Sequence, residues 1–287
     1  MSHRPSHNVC TPETAADCLA LITSLFQTHF PGHDSNFLRT VFGEVQQMFA
    51  GNFPGYQACD SAYHNFAHTY VASAAVVRIL DGHLKRGAAP HLTARDFELA
   101  VAAILLHDTG YIKKSGDHKG TGAKYTVTHP ARSAEFAQIL LTKLAIPPAE
   151  IETVQLAIRY ADLEEGATPP AYSERSRFIG SVVGSGDILG QMATPDYPDQ
   201  LTNLYNEFRE AALFFGMAGT GIGSYKNAID LMQRTRGFYE THVQRLLTTR
   251  WGRVSEALVD HFADGRNLYL DAIAQNLDRI DQLTRNG

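Results

Sequence analysis

Apolar residues return every three or four positions through almost the whole chain, and strict apolar–polar alternation is nearly absent. This periodicity predicts an all-α protein, with helices over residues 12–30, 36–49, 61–85, 94–107, 130–144, 148–160, 175–191, 200–216, 225–249 and 255–283. Thr11 is the cap expected for the first. Thr93-Ala94-Arg95-Asp96 sets a hydroxyl cap ahead of an acidic third residue, and Pro147-Pro148 stands where proline costs a helix least. Glycine- and proline-rich breaks fall at 115–122, 166–170, 195–198 and 216–223, and none divides regions of different composition. The expectation is one helical domain over residues 51–287, with residues 1–50 as a helical extension packed on it.

Composition narrows the function classes. A formal net charge of -5 gives no general footprint for a nucleic acid polymer. The longest purely apolar run, residues 99–106, is far shorter than the roughly 20 residues a membrane span needs, and the first ten residues lack a signal-peptide core. Three cysteines, without metal-ligand pairing, fit a reducing compartment, so a cytoplasmic protein without a membrane partner is expected. Histidine is unusually frequent, at 13 residues, and four of these cluster with acids.

Tyr63-His64-Asn65-Phe66-Ala67-His68 opens a predicted helix. Its four-residue spacing sets His64 and His68 on one face, about one turn apart, so both imidazoles can point into one cavity. Residues 99–106 (LAVAAILL) are apolar on every side, as a buried helix should be, and lead into His107-Asp108-Thr109-Gly110. A charged pair at the tip of a core helix is costly without a partner; a divalent metal, taking imidazole lone pairs and carboxylate charge, is a natural one. Asp187 is a lone acid within the apolar, glycine-rich stretch 182–190 and needs a partner too. His129 stands at a helix start, where the positive dipole end suits a phosphate. Asp162, followed by Glu164 and Glu165, reads equally well as a solvated helix end.

The order H…HD…D, carried by His68, His107-Asp108 and Asp187, resembles the HD superfamily of metal-dependent phosphohydrolases. Tyr63-His64-Asn65-x-x-His68 resembles the signature of the class I cyclic-nucleotide phosphodiesterases within it, over roughly residues 61–250. The resemblance implies a phosphodiesterase-like bundle holding two divalent ions, drawn from zinc, magnesium, manganese and iron. His68, His107, Asp108 and Asp187 would hold one ion, and Asp108 would bridge to a second completed mostly by water. His64 would be the general acid, Asn65 and Asp162 would orient neighbours in the site, and His129 would face the phosphate or the second metal. Phe238, in Thr235-Arg236-Gly237-Phe238, matches the aromatic clamp of a Gln-x-Gly-Phe motif, with Thr235 at the glutamine position. Tyr111 stands where phosphodiesterases carry a further histidine, and Thr69 and Val71 replace an alanine and an aspartate.

The reaction so implied is hydrolysis of a small phosphoester, a cyclic nucleotide or related nucleotide, by a hydroxide bridging the two ions. The departures at Tyr111 and Thr235 suit an HD-type hydrolase of another nucleotide or a small phosphomonoester as well. A diiron oxygenase on an HD scaffold uses the same ligand types. Lys113, Lys114, Lys119 and Lys124, four of the chain's lysines, fall in one glycine-rich loop; they read either as a lid for an anionic substrate or as solvated charges.

Overall fold

The computed structural model describes residues 10–162, 172–217 and 219–285. The break at 166–170 and the acids Glu164 and Glu165 lie outside these residues, as do His3 and His7. Among the described residues the backbone is all-α. Its helices are α1 (Ala15–His29), α2 (Asn36–Phe49), α3 (Phe66–Arg86), α4 (Ala94–Leu106), α5 (His129–Lys143), α6 (Pro148–Ala161), α7 (Glu174–Met192), α8 (Tyr197–Phe215), α9 (Ala228–Phe238), α10 (Leu258–His261) and α11 (Leu268–Arg285). No helix among them is long and apolar enough to cross a membrane.

The all-apolar run in α4 does what its pattern demands: Leu99 through Leu106 are completely buried. Each such leucine or isoleucine stabilises the fold by about 1.5–3 kcal/mol relative to exposure. Helices α3, α6 and α7 pack around α4, and α3 is itself buried over most of its length. Small residues set the distance between α3 and α7. A Cβ on Gly186 would fall 2.4 Å from the Val76 side chain and 2.9 Å from its backbone nitrogen, and one on Gly190 would fall 3.0 Å from the Ala72 Cα. The two glycines flank Asp187 in sequence, so their contact with α3 carries that carboxylate toward the start of α3. Helices α1 and α2 contribute Ile22, Phe26, Val41, Val45 and Met48 to the same continuous core.

Several helix boundaries differ from the periodicity for identifiable reasons. Thr14, rather than Thr11, caps α1, because its hydroxyl and Asp17 satisfy each other's backbone N–H groups in a capping box. Helix α3 starts at Phe66, not at residue 61: the Asn65 side chain accepts from the Ala67 and His68 amides and so terminates the helix there. The predicted helix 225–249 is regular only to Phe238, then widens into π-helical turns over Tyr239–Val243 and Leu246–Arg250. The predicted helix 255–283 is interrupted between α10 and α11, where Gly265 takes φ +66°.

Candidate metal centre

Four ligand atoms meet where the start of α3, the end of α4 and the middle of α7 converge. His68 Nε2 lies 3.2 Å from Asp108 Oδ2 and 3.0 Å from Asp187 Oδ1; His107 Nε2 lies 3.3 Å and 3.4 Å from the same two atoms. Each imidazole therefore sits between the two carboxylates. His68, His107 and Asp108 form a cluster able to hold a metal ion, with ligand atoms within 4.8 Å of one another.

Local structure aims these side chains. The Asn65 cap fixes the first turn of α3, which carries His68. His107 Nδ1 donates to the Ile104 carbonyl at 2.6 Å, which leaves the lone pair on Nε2, the tautomer a metal requires. Asp108 follows on the turn Thr109–Tyr111, and that turn is riveted to α5. The Gly110 amide donates to Ser133 Oγ at 2.9 Å, Ser133 Oγ donates to the His107 carbonyl, and Arg132 donates to the Gly110 and Ile112 carbonyls at 2.6 and 2.8 Å. His129, first residue of α5, is thereby held with Nε2 3.7 Å from the other oxygen of Asp108, Oδ1. Its Nδ1 donates to the Thr126 carbonyl at 2.7 Å.

The fit to a cation is tested by hydrogen bonding. His107 Nε2, Asp108 Oδ2 and Asp187 Oδ1 are buried and make no hydrogen bond, although each lies within ion-pair distance of a neighbour. Buried polar atoms in folded proteins are otherwise satisfied, and three orphans at one point fit a shared cation. The electrostatics agree. Burial opposes charge on His68, yet the Asp108 and Asp187 carboxylates overcome it and raise the imidazole to about 10; His107 is raised by the same opposition of burial and carboxylates. Burial pushes Asp108 and Asp187 upward, and the histidines, led by His107, outweigh it and hold both carboxyls well below their usual range. His129 differs: burial dominates the nearby Asp108 charge and lowers its pKa, which favours a neutral ring.

Three of the four residues, His107, Asp108 and Asp187, line a cavity of about 670 Å³. His64, His129, Asp162 and Phe238, all expected at the site, line it together with His107, Asp108 and Asp187. Asn65 does not line it and acts instead as the α3 cap. Leu201, Leu204, Phe208, Ile222, Tyr225 and Phe238 give the same cavity an apolar wall. Thr235 also lines the wall, and its hydroxyl donates to the Leu231 carbonyl at 2.9 Å.

Sequence reasoning missed four residues. Glu207 of α8, only 4% exposed, accepts from His64 Nδ1 at 2.6 Å and from the Tyr63 amide at 2.7 Å. Gln191, one turn after Asp187, accepts the Tyr63 hydroxyl at 2.6 Å and lines the cavity. His242, four residues after Phe238, stacks on it with ring centroids 5.2 Å apart. Tyr111 is buried beneath His64 and His129. None carried a local sequence signal except Tyr111, noticed as a departure from a motif.

The lysine loop divides: Lys114 and Lys119 are exposed, as solvated charges would be, whereas Lys113 and Lys124 are buried. Lys113 pairs with Asp60 at 2.7 Å and donates to the Gly120 carbonyl, and Lys124 pairs with Asp117; both are 4% exposed. Glu210 of α8 accepts from the Thr121 amide at 2.6 Å and its hydroxyl at 2.7 Å, so the loop is tied down.

Comparison with protein-family models finds no match, and comparison with curated proteins finds no relative.

Proposed function

We propose that the protein is a metal-dependent phosphohydrolase of the HD type, acting on a small phosphoester such as a cyclic or linear nucleotide. The observation that carries this reading is the convergence of His68, His107, Asp108 and Asp187 with three unsatisfied ligand atoms, beside a cavity that His107, Asp108 and Asp187 line. These four side chains would hold one divalent ion. The second oxygen of Asp108, facing His129, would reach a second ion. Such ions would supply a water acidified toward neutral pH and would neutralise phosphoryl oxygens.

The chain's own residues supply the remaining requirements. Glu207 holds His64 through Nδ1, so the opposite nitrogen, Nε2, is the one available to carry a proton toward a departing ester oxygen in the cavity. His129, kept neutral by burial and with its Nδ1 proton committed to the Thr126 carbonyl, presents an Nε2 lone pair without adding positive charge beside the ions. The apolar wall around Phe238 suits an organic substituent and excludes water from the ester. Asp162, at the end of α6, lines the same cavity as His129.

The test is metal content together with turnover over a panel of cyclic and linear nucleotides. The wild type is expected to bind divalent ions and hydrolyse at least one of the panel; His64→Ala should keep the metal and lose about 10²–10⁴ in kcat. Failure to bind any of zinc, manganese, iron or magnesium overturns the reading.

A further inference from the structure

Tyr111 is held rigidly three residues after Asp108. It is 1% exposed, and its amide donates to the Asp108 carbonyl at 3.1 Å. Its ring stacks against two imidazoles. The centroid lies 4.4 Å from that of His64 at an interplanar angle of 5°, and 4.8 Å from that of His129 at 24°. The two imidazole centroids are 6.4 Å apart.

The phenol ring therefore packs against both imidazoles, whose own planes are inclined to each other by only 27°. Each imidazole has a single in-plane anchor at Nδ1, Glu207 for His64 and the Thr126 carbonyl for His129. The hydrogen bond restrains each ring at its edge, and the Tyr111 ring adds a restraint on its face.

We propose that Tyr111 is a positioning residue, a common aromatic floor that locks the ring planes of His64 and His129 and so aims Nε2 of each into the site. This rests on the phosphohydrolase reading. Angular error at a proton donor is costly even without loss of contact, because proton transfer needs near-linear geometry.

The test uses two diesters with different demands. Diphenyl phosphate needs its leaving oxygen protonated, whereas bis(4-nitrophenyl) phosphate releases a stable anion. Tyr111→Met keeps most of the buried volume but removes the flat ring. It is expected to lower kcat on diphenyl phosphate about tenfold or more, with metal content kept and the activated ester affected at least threefold less. Tyr111→Phe should rescue most of that loss. A second measurement does not depend on turnover: the His64 and His129 Cε1–H resonances, shifted upfield by the ring current of the wild type, should move downfield in Tyr111→Met and stay in Tyr111→Phe. Equal losses on both diesters, or imidazole resonances that do not move, overturn the floor. A metal-loaded wild type that cleaves neither diester nor any nucleotide overturns the phosphohydrolase reading, and the resonances still decide the floor.

Discussion

His64 Nδ1 and Glu207 Oε2 are 2.6 Å apart, joining residues separated by 143 positions in sequence. The other oxygen of Glu207 accepts the Tyr63 amide at 2.7 Å, so one buried carboxylate fixes both the ring and the backbone that carries it. Glu207→Gln keeps an acceptor for one of these and removes the charge that would stabilise an imidazolium. We expect kcat to fall about 10- to 100-fold with bound metal unchanged. Glu207→Ala should in addition lose stability, about 1–3 kcal/mol, because the Tyr63 amide is left unsatisfied. Steady-state kinetics, metal content and urea melts check both; an unchanged kcat in Glu207→Gln would remove Glu207 from the mechanism.

Metal loading should be strongly pH-dependent, with a defined sign. In the metal-free protein the Asp108 and Asp187 carboxylates hold a proton on His68, whose pKa is pushed up to about 10. A metal must displace that proton, so affinity rises with pH through the neutral range, about tenfold per pH unit for each proton released. Titration of manganese at pH 6, 7 and 8, with proton release followed in weak buffer, tests this. Asp108→Asn should lower affinity at all three pH values and flatten the dependence.

The approach of α7 to α3 should control the metal site from outside it. Gly186→Ala would place a methyl 2.9 Å from the Val76 backbone nitrogen, which cannot swing aside as a side-chain tip can. We expect a loss of about 1–3 kcal/mol and a metal affinity reduced about tenfold or more as Asp187 is drawn from His68. Gly43→Ala is the control. Nothing lies within 4 Å of its Cβ position in α2, so alanine there should stabilise by about 0.5–1 kcal/mol and leave metal binding unchanged.

How much of this was legible in sequence depends on the range of each interaction. The buried run before His107 and the lone acid Asp187 announce themselves because helix periodicity and burial cost are local properties, whereas His64 stands two residues before α3 and reaches His68 outside the helical spacing expected of the pair. Glu207 did not, because its meeting with His64 is set by how α8 packs, and no local pattern reports that. Lysine charge alone could not distinguish solvated ends from the buried pairs of Lys113 and Lys124, whose partners are Asp60, more than 50 residues earlier, and Asp117 within the loop itself. Periodicity also runs on smoothly through Tyr239–Val243, where the backbone turns widen to a π-helix. The Asn65 cap was hidden by the apolar pattern, which begins before the helix does.

Away from the cavity, Asp81 should act as an acid-sensitive rivet. It is completely buried in α3 and accepts from His29 of α1 at 2.7 Å, from His261 of α10 at 2.6 Å and from Lys85 at 2.7 Å. Burial alone would raise its pKa, but the bonds from His261, Lys85 and His29 prevail and depress it strongly. A depressed folded-state pKa means the stabilisation is complete above the unfolded value, about 3.9, and is lost as pH falls through the folded value. Asp81→Asn should therefore be destabilised by about 3–5 kcal/mol at pH 7, since it breaks a buried charge network and leaves His29 and His261 facing a neutral amide. The gap between wild type and variant should narrow as pH falls below about 4. Urea midpoints measured from pH 3 to 7 decide it: a constant gap would mean that Asp81 contributes through packing rather than charge.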